Sequence, residues 1–301
     1  MANTTTSQAA SAAPERQYKR RSMLQETWRR FRKNKGAVVG LCMLIALCVM
    51  AVAAGFIFDY DTQVIGGDIA DRLLSPSWAH PFGTDEMGRD ILIRVIYGAR
   101  YALSVGLVAV GISIIIGVTL GAIAGFVGGI LENIIMRITD IFIAVPNILL
   151  AIAIVSALGQ STLNLMVAIG ICSAASFVQV ARAAVLTVRS NEYVEAARAI
   201  GATNREIIFS HILPNSLAPI IVQATLRVGA SIISASSLSF LGIGVPLPAP
   251  EWGAMLSSGR NYIRDYSYMT LFPGLAIMLT VVSLNLVGDA LRDSIDPKLK
   301  K

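Results

Sequence analysis

The stretch that decides the reading is EAARAIGATNREIIFSHILPN, from Glu195 to Asn215. It is polar and helical in pattern. Glu195-Ala196-Ala197 opens it, Gly201 turns it and Leu213-Pro214 closes it. Long apolar runs flank it on both sides, so the chain leaves the bilayer here, builds a small folded element and goes back in. A short, punctuated hairpin at a membrane surface points to a separate protein that docks on it.

The rest of the composition agrees with a membrane setting. Of 301 residues, 54% are hydrophobic and only 15% charged, with a mean hydropathy of +0.64. A soluble domain is nearer a quarter charged. The charges are also segregated, which places the chain among polytopic membrane proteins. The net charge of +6 clusters beside an apolar run, which favours orientation in an anionic membrane over nucleic-acid binding. Cys42, Cys48 and Cys172 fall within apolar runs, without a CxxC pair, and read as buried hydrophobes. Residues 1–17 are rich in Ala, Ser and Thr, the composition of a disordered tail. The first apolar run, Gly36 to Phe58, exceeds a signal-peptide core and reads as an uncleaved anchor.

A span needs about 20 apolar residues. Six candidates meet that length: 36–58, 101–126, 136–158, 163–187, 217–242 and 270–290. The third contains Pro146, which predicts a kink. Eight basic residues lie between Lys19 and Lys35, whereas Asp59 to Ile93 holds seven acids and two arginines. The positive-inside rule then puts both termini in the cytoplasm. The expected organisation is a cytoplasmic tail (1–35), a first transmembrane helix (36–58), an extracytoplasmic loop (59–100), a transmembrane domain (101–290) with a cytoplasmic hairpin at 188–215, and a cytoplasmic tail (291–301).

Within the hairpin, Ser190 or Asn191 is placed to cap a helix, with Glu192 and Glu195 in the favourable first turn. Gly201 supplies the stop. Thr203-Asn204-Arg205-Glu206 reads as a capping box for a second helix through Ile212, ended by Pro214. Ala196 and Ala197 offer a low-profile surface flanked by Tyr193, Glu195 and Arg198; a solvated connector would share this pattern.

Glu195-Ala196-Ala197, Gly201 and Leu213-Pro214 together resemble the EAA signature of binding-protein-dependent ABC importer permeases. Three further blocks resemble the dipeptide, oligopeptide and nickel branch of that family. They are His80-Pro81 with Gly83-Thr84-Asp85, Gly88-Arg89-Asp90 and Tyr97-Gly98-Ala99-Arg100; Pro250-Glu251-Trp252-Gly253; and Phe272-Pro273-Gly274 through Asp289 to Asp296-Pro297. The extended basic N-terminus resembles the C-type dipeptide permease. Four blocks in order make the likeness specific over residues 20–301. It implies an all-α membrane protein of six transmembrane helices with the type I importer permease fold. It also implies a second homologous permease subunit, two cytoplasmic ATPase subunits and an extracytoplasmic solute-binding protein. No cofactor is implied for this chain, the ATP being held by the partner subunits. In such a machine Tyr193, Glu195, Ala196, Ala197, Gly201, Leu213 and Pro214 would engage the ATPase. At Ala235 the chain departs from the acid that the resemblance leads one to expect.

Arg227 lies about ten residues into the fifth span, where a charge costs about 2.5–3.5 kcal/mol on insertion scales. Gln223 is four residues earlier, on the same helical face. The two are candidates for a translocation path that a peptide carboxylate would follow; a structural pair with a neighbouring polar group is the alternative. Arg182 reads as a snorkelling residue near a span end, and Arg137 and Asp140, three apart, as a pair on one helical face. The sequence lacks a G-x-x-x-x-G-K-[ST] loop, so the chain is not read as an ATPase or as an enzyme. A stand-alone secondary transporter or channel would call for inverted repeats and midplane ionisable relays, which are not evident; a scaffold would carry no flux. Peptides, nickel chelates and glutathione remain open as cargo.

Overall fold

A computed structural model describes residues 23–295, with side chains from Thr27 onward. The readings of residues 1–17, of Lys19, Arg20 and Arg21, and of the segment after Ile295 lie outside the described residues. In order, the helices are α1 (Met23–Lys33), α2 (Lys35–Ile57), α3 (Ile91–Val127), α4 (Gly129–Ala144), α5 (Asn147–Leu158), α6 (Thr162–Arg189), α7 (Glu192–Ala199), α8 (Asn204–Glu206), α9 (Leu213–Phe240), α10 (Trp252–Gly259) and α11 (Tyr268–Ile295). A π-helical turn, Ile207–Ile212, joins α8 to α9. Five helical stretches are long and apolar enough to cross a membrane, or six when α4 and α5 count as one broken span.

Small residues set the packing at the centre of the bundle. Gly117, Gly121 and Gly125 repeat every four residues along α3 and face α6. A methyl group at Gly117 would stand 2.4 Å from Phe177, and one at Gly121 would stand 2.5 Å from the Val178 carbonyl oxygen. Without hydrophobic drive between helices in lipid, such close backbone approach supplies much of the attraction. The outer surfaces carry large apolar side chains, including Phe56 at 88% exposure and Ile115 at 72%, as lipid contact requires. Cys42 and Cys48 are on that exposed surface, because α2 is a peripheral helix; only Cys172 is buried.

Three span readings change. The second begins ten residues earlier than expected, inside the segment read as loop, because the Asp90 carboxylate accepts from the Ile93 amide at 3.0 Å and starts α3 there. The third is bent by 94° between α4 and α5. Val145, which precedes Pro146, is extended (φ −91, ψ 130), as the proline ring demands of its neighbour. The fifth is continuous with the second hairpin helix, which Pro214 does not end. Helical structure runs unbroken from Asn204 to Phe240, 37 residues. Proline is tolerated at the first positions of a helix, and the wider π turn before it carries the chain into α9.

Candidate functional site

The hairpin between α6 and α9 is a folded knuckle. The Gly201 amide donates to the Arg198 carbonyl and the Ala202 amide to the Ala197 carbonyl, at 3.1 and 3.0 Å. That is the paired bond pattern of a Schellman motif, and it needs the positive φ of 93° that Gly201 adopts. Thr203 then caps the next helix, its hydroxyl oxygen accepting from the Glu206 amide at 3.3 Å. Asn191 occupies the N-cap of α7 without a side-chain cap bond. Val194, Ile207 and Ile212 pack with Val185 and Val188 of α6, tying the knuckle to both long helices.

The knuckle brings Tyr193, Glu195, Ala196 and Ala197 together, but not on one surface. Ala197 is buried, three residues from buried Val194 on the inward face. Ala196 and Glu195 are exposed, and Tyr193 is 44% exposed, its ring centroid 6.4 Å from that of His211. Pro214 is exposed and Leu213 half-buried. The sequence reading missed Ile200, 86% exposed, and Phe209, 63% exposed. Their signal was an apolar residue just before a helix-stopping glycine and an aromatic within the Ile207–Ile212 turn.

Gln223 and Arg227 lie on α9, both half-buried. Arg227 borders a small notch with Asn147 at the start of α5 and with Cys172 and Ser173 of α6. Ala235 is buried in an apolar cluster. Arg182 does not simply snorkel: its Nε donates to Glu132 Oε1 of α4 at 2.6 Å. Arg137 and Asp140 form no ion pair with each other among the described residues; both are exposed, where such pairs hold weakly.

At the opposite end of the bundle, the sequence blocks close on one another. Asp85 accepts from the Arg89 amide at 3.0 Å and from its Nε at 2.7 Å. His80 Nδ1 lies 2.9 Å from Asp90 Oδ2. The Trp252 indole donates to the Val95 carbonyl at 3.0 Å, and Gly98 leaves room for the Trp252 ring. Arg94, which the sequence reading passed over, binds three segments at once. Its guanidinium donates to the Val64 carbonyl at 2.8 Å and the Pro248 carbonyl at 3.3 Å, and lies 3.6 Å from Asp85. Glu251 is buried as the N-cap of α10, accepting from the Ala254 amide at 2.8 Å; burial pushes its carboxyl above the usual range despite those bonds.

Comparison with known proteins fits this geometry. Residues 117–301, more than half of the chain, match the binding-protein-dependent transport system inner membrane component family. The chain belongs to that family. Residues 22–76 of this permease match the N-terminal transmembrane domain of oligopeptide transport permease C. The permease is 47% identical over 290 residues to the dipeptide transport system permease protein DppC of Alkalihalophilus pseudofirmus, covering 96% of this chain and 95% of that one. It is 45% identical to the di/tripeptide transport system permease protein DppC of Pseudomonas aeruginosa, covering 93% of each. It is 43% identical to the glutathione transport system permease protein GsiD of Pectobacterium atrosepticum, again covering 93% of each. A solved chain of the MetNI methionine ABC transporter, inward facing, shares the fold with a TM-score of 0.57 at 19% identity, over 68% of this chain and 98% of that one. The permease is thus a multi-pass bacterial inner-membrane subunit, of a kind that has no catalytic site of its own.

Proposed function

We propose that the chain is a permease subunit of an ATP-driven importer of di- and oligopeptides, and that the 188–215 knuckle is its point of attachment to separate ATPase subunits. In this reading both termini and the knuckle face the cytoplasm, and the 59–90 loop with α10 faces the extracytoplasmic binding protein. A second permease subunit completes the pathway, with Gln223 and Arg227 on its wall. The observation that carries the coupling role is the capped knuckle packed against α6 and continuous with α9. A floppy connector would absorb a partner's motion; this one transmits it, because both caps and a buried apolar cluster fix it to two spans. Closure of the ATPases would move the knuckle and tilt α6 and α9, the two-state element that coupling between distant sites requires. Glu195, Ala196, Tyr193 and Ile200 supply the contact surface. Gly201 fixes its shape, and Ala197, Leu213 and Pro214 fix its seat.

The deciding experiment places a cysteine at Ala196 in a background without Cys42, Cys48 and Cys172. A short crosslinker should capture an ATPase subunit in membranes, and more efficiently from Ala196 than from buried Ala197. Labelling of Ala196 from the extracytoplasmic side would overturn the topology. Glutathione is the second cargo to test, since one close relative is named for it. Competition of dipeptides and glutathione for uptake, with and without this chain, separates the two.

A further inference from the structure

We propose that Arg227 and the notch at the Pro146 bend form a carboxylate site, which holds the terminal carboxylate of a peptide as it crosses. The proposal rests on the importer reading above and names the chemical group that the pathway recognises.

Arg227 stands near the midpoint of α9 (Leu213–Phe240). It makes no hydrogen bond or ion pair with any described residue. Arg137 of α4 and Arg292 of α11 are exposed, whereas four other arginines on the long helices are partnered. Arg94 bonds two carbonyls, Arg182 pairs with Glu132, Arg189 donates to the Gly125 carbonyl at 3.2 Å, and Arg100 lies over the Tyr97 ring at 5.2 Å. An unpaired cation at that depth is costly, so it faces a bundle interior or a wet cavity and marks a ligand pathway by default.

The neighbourhood defines the ligand. The notch has a volume of about 30 Å³ and is lined by Arg227, Asn147, Ser173 and Ser234 among otherwise apolar groups. No acid lines it. The space fits one small polar group, about the share of a single water, and not a whole peptide. Asn147 adds amide donors and Ser173 a hydroxyl, while the Ser234 hydroxyl is turned back to the Ala230 carbonyl at 3.0 Å. A planar guanidinium flanked by neutral donors suits a carboxylate, which it binds through two parallel hydrogen bonds. Gln223, Ser234 and Ser237 extend a polar stripe along the same helix, all incompletely buried. A face turned only to lipid would not carry it. Lipid headgroups, the other common carboxylate or phosphate source, sit at the membrane interface and not at the middle of a span.

The test uses the complete importer reconstituted in vesicles, with dipeptide uptake and ATP hydrolysis read on the same preparation. Arg227→Gln should lower uptake roughly tenfold or more, the loss expected for a charged hydrogen-bond donor, with ATP hydrolysis intact. Arg227→Lys should keep more uptake than Arg227→Gln. Arg227→Cys, with the three native cysteines replaced, should react with a water-soluble maleimide, and a dipeptide should slow that reaction while its C-terminal amide does not. Normal uptake in Arg227→Gln would overturn the site, as would labelling that ignores the peptide. So would dissociation of the two permeases in Arg227→Gln, which would assign Arg227 to an ion pair with the partner. Wild-type uptake that continues without ATP would instead defeat the importer reading, independently of Arg227.

Discussion

Replacing Arg94 by methionine would keep most of the side-chain volume but delete the donors to the Val64 and Pro248 carbonyls and the charge beside Asp85. Removing one member of a buried charged network costs about 3–5 kcal/mol. Arg94→Met should therefore unfold in detergent at a clearly lower temperature than wild type; an unchanged unfolding temperature would show that the contacts are weak. Glu251 gives a pH prediction. Its raised pKa means that the folded protein binds this proton more tightly than the unfolded chain does. The stabilising effect is complete below the unfolded value near 4.5 and declines as pH rises through the folded one. Glu251→Gln should flatten that decline, measured as unfolding temperature against pH. Neither residue was legible as a structural clamp in the sequence. Glu251 was visible only as part of a motif, and Arg94 was an unremarked charge between two motifs. The carbonyls that hold Arg94 lie 30 and 154 residues away, and Ser236 lies 15 residues from Glu251, separations at which local patterns give no distance.

At the scale of single elements, the knuckle was the most legible part of the molecule, because capping is a local matter. Gly201 and Thr203 act where the spacing placed them. Nothing lies within 4 Å of a methyl group built on Gly201, so a substitution there meets backbone strain and no clash. A left-handed residue with a side chain costs about 1–2 kcal/mol, less for asparagine. Gly201→Leu should insert normally but retain less ATPase on purification and transport more slowly, with Gly201→Asn intermediate. Equal ATPase retention in all three would show that the stop is dispensable. The prolines were harder to read. Pro146 bends its span by 94°, whereas Pro214 interrupts nothing. The difference is one of position. Pro146 has a full helix before it, whose last residues must leave the helical region; Pro214 follows a widened turn and meets the start of a helix, where its missing amide is not needed. Ala197 misled for a related reason. A small side chain is equally at home on a docking face or in a tight seat, and only the buried phase of Val194 separates the two.

Across the whole molecule, the spans were legible because lipid imposes length and polarity on a helix. The notch beside Arg227 was not, since Asn147, Ser173 and Arg227 come from three helices. The segment from Asn204 to Phe240 has one further consequence. At about 1.5 Å per residue its 37 residues measure roughly 55 Å, well beyond a hydrocarbon core of about 30 Å. One end belongs to the knuckle, and the other abuts the Glu251 cap, where Ser236 donates to the buried carboxyl at 3.3 Å. Such a rod works as a lever: a swing of about 10° displaces its far end by roughly 10 Å. On the coupling role proposed above, a stroke applied at the knuckle would be geared directly to the Glu251 end of the rod, without a relay of intermediate parts.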